Sequence, residues 1–167
     1  MTNLYMRQKV FSWKDRFTIW GEDHEDRYYV EGEFFSLGKK LHIYDAQGRE
    51  LGLVAQKPWS FKPRFFVYVQ GIQVAEVVKE ITFFKPKYTI NGLNWEVAGD
   101  VFGHNYEIRS QGRSVVRVHK QWLTWGDSYE IDILDNRDEI NALAVVLAID
   151  AVLAMQEAAA AASSSTN

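Results

Sequence analysis

The stretch "NALAVVLAIDAVLAM", Asn141 to Met155, constrains the fold of this chain more than any other. It is apolar on every side and carries one acid, Asp150. A helix without a polar face is buried, in a protein core or in a membrane. From Ile140 to Met155 such a helix is about 24 Å long at 1.5 Å per residue. That falls short of the roughly 20 residues needed to cross a bilayer. Asp150 would also cost about 2.5–3.5 kcal/mol in lipid on insertion scales. The segment is therefore expected as a protein core, and the rest of the chain must enclose it. Asn136 with Glu139 three residues on reads as a capping box, so the helix is placed at about 137–158.

The preceding residues read as strands, in two similar halves. Phe17, Thr18 and Ile19 match Tyr88, Thr89 and Ile90, and Val30 and Gly32 match Val97 and Gly99. "QGRELGLVAQKPW" (Gln47–Trp59) answers "QGRSVVRVHKQW" (Gln111–Trp122). An ordered series of matches is the signature of an internal repeat, here spanning about 4–70 and 72–134. Each half holds six short runs with strand alternation. Val116 and Val118 oppose Arg117 and His119, and Tyr129, Ile131 and Ile133 oppose Glu130 and Asp132. Asn91-Gly92 is the clearest two-residue hairpin signal.

Twelve antiparallel strands avoid open edges by closing into a barrel. Eight strands already give an interior that side chains just fill, so twelve need a plug, and the C-terminal helix supplies it. The expected fold is mainly β (α+β): a closed 12-stranded antiparallel β-barrel from two six-strand repeats around a buried C-terminal hydrophobic helix. One domain covers 1–161, and the Ala/Ser tail, 162–167, is expected to be disordered. Asp150 becomes a buried structural acid that must find donors or keep its proton.

Composition narrows the function classes. The net charge is −3, which gives no general pull toward nucleic acid or anionic membrane. There is no cysteine, which excludes disulfides and thiolate metal sites. The N-terminus has no apolar run of signal-peptide length, so a cytoplasmic home is expected. The four histidines, at 24, 42, 104 and 119, show no metal-ligand spacing. The acidic loop "GEDHEDR" lacks EF-hand order and reads as a solvated hairpin tip. No nucleophile–base set, paired acids or nucleotide-binding glycine motif can be assembled. Neither a catalytic residue, a metal nor a cofactor is expected.

Two stretches stand out chemically. "QKPWSFKPRFF" holds Lys57, Lys62 and Arg64 beside Trp59 and Phe61; "VKEITFFKPKY" holds Lys85 and Lys87 beside Phe83 and Phe84. If both lie at one barrel end, they form a positive, partly apolar rim that attracts lipid phosphates, at about 1 kcal/mol per lysine near an anionic surface.

The blocks "QKVFSWKDRFTIW", "YYVEGEFFSLGKKLHIYD", "EITFFKPKYTI", "WEVAGDVFGHNYEI", "TWGDSYEIDI" and "ALAVVLAIDAVL" together resemble bacterial members of the LURP-one-related family. The resemblance runs from about Tyr5 to Leu153. It implies a tubby C-terminal-like fold, a twelve-stranded barrel around a central helix. The wider superfamily includes tubby domains, which bind phosphoinositide headgroups, and phospholipid scramblases. Neither the tubby lipid site nor the scramblase calcium motif has a match here. The functional expectation is a non-catalytic binding or scaffold protein that contacts anionic phospholipid through its basic–aromatic loops. The alternative is a small-molecule or fatty-acid carrier using a barrel cavity. A protein partner is a further expectation; nucleic acid and a transmembrane span are not.

Overall fold

The computed structural model describes residues 1–7, 16–33, 37–82, 87–123 and 126–164, and the side chains of all of these but 7, 122–123 and 126–127. The elements are β1 (Thr2–Arg7), β2 (Arg16–Gly21), β3 (Asp26–Glu33), β4 (Lys40–Asp45), β5 (Glu50–Gln56), β6 (Arg64–Val69), β7 (Ile72–Glu80), β8 (Lys87–Asn91), β9 (Trp95–Asp100), β10 (Asn105–Ser110), β11 (Arg113–Leu123), β12 (Gly126–Ile133) and α1 (Glu139–Ser164). Every strand pairs antiparallel with its sequence neighbours, and β1 closes on β12 from Thr2↔Ile133 to Arg7↔Ser128. No edge is left to aggregate. The expected closed barrel with its C-terminal helix inside is the fold observed.

Alternation places the core. Leu41 and Ile43 point inward from β4, Val116 and Val118 from β11, and Tyr129, Ile131 and Ile133 from β12. They meet a helix whose residues from Ala142 to Val152 are all buried. The approach is one-sided: α1 lies nearest β5, β6 and β7. Facing it there are Val54, Val67, Ala75 and Val77, and Ala144, Ala148 and Ala151 keep the rod thin. Buried rings include those from β8 (Tyr88), β9 (Trp95), β10 (Tyr106) and β12 (Tyr129), and Phe65 on β6.

Because hairpins alternate, the barrel has two distinct ends. The turns 22–25, 46–49, 70–71, 92–94 and 111–112 lie at one, with the start of α1; this is the turn end. The segments 37–39, 57–63, 81–82 and 101–104 lie at the other, the loop end, where α1 emerges.

Three local readings differ from the structure. The residues Asn136–Asp138 form a 3₁₀ turn, and its cap is Asp135, whose side chain accepts from the Arg137 N–H. Glu139 does not reach back to close a capping box. Its carboxylate instead accepts from Tyr28 Oη and from Thr2 Oγ1 (3.0 Å), which ties the helix start to β3 and β1. The Asn91-Gly92 hairpin has three turn residues, 92–94, with Gly92 at φ +104° and Asn94 at φ 54°. A Cβ on Gly92 would sit 2.4 Å from the Val74 carbonyl, so glycine is needed there for backbone approach to β7. Finally, α1 continues to Ser164, past residue 161. Alanine favours helix, and Ser163 and Ser164 bond back to the carbonyls of Ala160 and Ala161.

Candidate functional site

The loop end gathers the exposed apolar side chains. Among the described residues seven large hydrophobics are exposed, and five of them belong to loop-end segments: Leu37, Trp59, Phe61, Ile81 and Phe102. Trp59 and Phe61 are 96% and 91% exposed, so none of the described residues covers them. Trp59 also has φ 55°, a left-handed conformation uncommon for a bulky side chain. A ring held out in that way is not a core residue that failed to pack.

The basic residues expected on this rim separate into two kinds. Lys62 pairs with Glu80, and Arg64 Nη1 lies 2.8 Å from Glu76 Oε1. Both cations are thereby neutralised by β7. Lys57 and Lys87 are exposed at the rim, and Lys87 adds to the positive field that lowers the Glu80 carboxyl, behind the Lys62 hydrogen bond. Lys85 lies outside the described residues, as do Phe83 and Phe84.

Directly beneath the rim the expected buried acid, Asp150, sits in a polar cluster whose other members sequence reasoning missed. Asp150 is 4% exposed. Its Oδ2 accepts a hydrogen bond from Tyr129 Oη. His104 Nε2 stands 3.7 Å from Asp150 Oδ1, and the His104 ring stacks on Tyr129 with centroids 4.7 Å apart. Burial pushes the Asp150 carboxyl up to about 7, against the lowering effect of the Tyr129 bond. Burial, then the charge of Lys120, pushes His104 down. The two partners thus both shift toward their neutral forms. Burial, then the Asp150 charge, raises Tyr88 to about 12 and Tyr106 and Tyr129 well above the ordinary phenol value.

The cluster is also under-satisfied. The hydroxyls of Tyr88 and Tyr106, His104 Nδ1 and Asp150 Oδ1 are buried without a hydrogen-bond partner. Buried polar atoms are nearly always paired, so each exception marks strain, water or function. The signal in the sequence was the inward register of Tyr129 together with Ile131 and Ile133. What could not be read was that β8, β10 and β12 aim their tyrosines at one helical carboxyl.

The other histidines lie elsewhere. His42 sits on the outer wall between Glu33 and Glu50, 3.2 Å from each. His119 is on the outer face of β11. The acids of the 22–26 loop do not converge: Asp23 is held by Arg27 (2.7 Å) and by the Glu25 N–H (3.1 Å).

One helix among the described residues, Asn136–Ser164, is long and apolar enough to cross a membrane, but most of its apolar window is buried inside the barrel. That is the pattern of a core helix, as expected for a chain with no transmembrane span.

Comparison with known proteins places this architecture. The chain is 40% identical over 153 residues to the uncharacterised protein YxjI of Bacillus subtilis (strain 168), covering 92% of this chain and 94% of that one. An X-ray structure of a protein from Arabidopsis thaliana superposes with a TM-score of 0.61 at 14% identity, over 90% of each chain, and so shares the fold. The family model described as LURP-one-related matches residues 2–150, from the first strand to the buried carboxyl. Barrel, plug and sequence blocks agree: the chain belongs to the LURP-one-related family.

Proposed function

We propose that this protein is a non-catalytic binding module that works in the cytoplasm and docks its loop end on an anionic lipid surface. The observation that carries this reading is the near-complete exposure of Trp59 and Phe61 on one rim with Leu37, Ile81 and Phe102. Exposed apolar side chains grouped on one face mark an interaction site, and aromatic rings favour the headgroup level of a bilayer. Lys57 and Lys87 flank the rings and add electrostatic attraction of about 1 kcal/mol each near an anionic surface. Since Lys62 and Arg64 are paired with Glu80 and Glu76, apolar insertion carries more of the binding than charge does.

The carrier reading has less support. A fatty acid needs a long apolar cavity, and the bore is occupied by α1, whose residues from Ala142 to Val152 are buried.

Co-sedimentation with phosphatidylcholine vesicles, with and without phosphatidylglycerol, tests the reading at low and high salt. Wild type is expected to pellet with the anionic vesicles, and W59A/F61A to stay in the supernatant. Absence of vesicle binding by wild type, or equal binding by the double variant, overturns it.

A further inference from the structure

The outer wall holds a side-chain cluster unrelated to the rim. Glu130 and Asp132 project from the same face of β12, two residues apart, and His119 stands directly across from Glu130 on β11. This is a compact way for two strands to present three ligand atoms: i and i+2 on one, the register partner on the other. His119 Nε2 is 3.1 Å from Glu130 Oε2, and Nδ1 is 3.8 Å from Asp132 Oδ2. One ligand atom from each of the three residues lies within 4.8 Å of the others.

The two carboxylates are not ordinary surface acids. The Glu130 side chain is only 10% exposed and that of Asp132 17%. Asp132 Oδ1 is buried without a hydrogen-bond partner. Arg117 stands opposite Asp132 in register. Glu130 is meanwhile oriented by Tyr5 Oη, which donates to Oε1 (2.8 Å), and by Gln121 Nε2, which donates to Oε2. Donors behind a carboxylate ligand are what metal sites use to fix it.

We propose that His119, Glu130 and Asp132 form a site for a divalent transition-metal ion of the zinc type, clamping β11 to β12. One imidazole with two carboxylates suits zinc, and three protein ligands leave a fourth position for water. The sequence hides the site because its ligands are far apart in the chain and become neighbours only through strand pairing.

The experiment is isothermal titration of the chelator-stripped full chain with zinc chloride at neutral pH, followed by cobalt(II) absorption spectroscopy. Wild type is expected to bind one ion, to show cobalt ligand-field bands and to gain thermal stability as zinc is added. H119Q and D132N, checked for native circular dichroism, are expected to lose about tenfold or more in affinity, at least the cost of losing a partner that only orients a ligand. H42A, which alters an outer-wall histidine that is not one of these three residues, is expected to bind as wild type does. No binding by wild type, or undiminished binding by both H119Q and D132N, overturns the proposal.

Discussion

At the turn end, Gln70-Gly71 and Gln111-Gly112 reverse the chain in two residues, all four with positive φ, as the tight hairpin turns that match strand twist require. Asp45 accepts from the N–H groups of Gln47 and Arg49, each at 2.9 Å. Glu139 locks the start of α1 to β1 and β3. At the loop end the β5–β6 connection takes seven residues, 57–63, and holds Trp59 and Phe61 in solvent. Four polar atoms of the cluster beneath it have no partner. One end closes in short, hydrogen-bonded turns; the other gathers five of the seven exposed large hydrophobics of the described residues above four unpartnered polar atoms. Departures from local consistency concentrate where proteins do work rather than where they hold together. If the proposed docking holds, the division sets stability at the turn end against recognition at the loop end.

The largest test of that division is a pair of deletions along the plug. Leu143 is fully buried toward the turn end, and Leu153 is 6% exposed where α1 leaves the barrel. Leu143→Ala is expected to cost about 3–5 kcal/mol in urea unfolding and Leu153→Ala about 1–3, because a site that can relax or admit water loses less. Equal costs would mean that both ends are equally well packed, and the comparison would fail.

The next effect depends on pH. Asp150 has a folded value near 7, above its ordinary 3.8, so the fold favours the protonated acid. Its contribution is complete below about pH 4 and is lost as pH rises to about 7, a change of at most about 4 kcal/mol. His104 is shifted downward, so its neutral form is favoured, and it costs stability as pH falls below its ordinary 6.5. The two slopes oppose each other in wild type. Asp150→Asn removes the first and leaves the second. Chemical unfolding from pH 4 to 8 should show wild type losing stability relative to Asp150→Asn as pH rises. Parallel curves would mean that Asp150 does not titrate in this window.

The architecture was legible in the sequence because it rests on periods and lengths. An all-apolar run with one acid, too short for a bilayer, requires an enclosing wall; alternating runs with turn residues supply it. Local details were less legible. Asn136 looked like a cap, but Asp135 with its side chain on the Arg137 N–H took that place, since two good cap residues in succession compete. The candidate rim was half legible. "WSF" beside lysines marks an exposed loop, yet nothing in that stretch says that Lys62 and Arg64 meet Glu80 and Glu76 across β6 and β7. The buried cluster was least legible. It needs Tyr88, Tyr106, Tyr129 and His104, from three strands and a turn, around a carboxyl on a helix, and only the closed barrel brings them together.

The smallest expected change is the sharpest for the rim. Trp59 and Phe61 make no buried contact with the barrel, being 96% and 91% exposed. Removing both rings is therefore expected to alter unfolding stability by no more than about 0.5 kcal/mol, the usual range for surface substitutions. Large aromatic side chains lose favourable surroundings when held in water, each forgoing on the order of 2 kcal/mol of burial. A chain that keeps two of them in solvent gains little in folding from their identity. If W59A/F61A unfolds in urea with the wild-type midpoint and slope, the rings belong to recognition. A loss of 2 kcal/mol or more would instead assign them to the barrel's own stability, and the loop end would no longer differ in kind from the turn end.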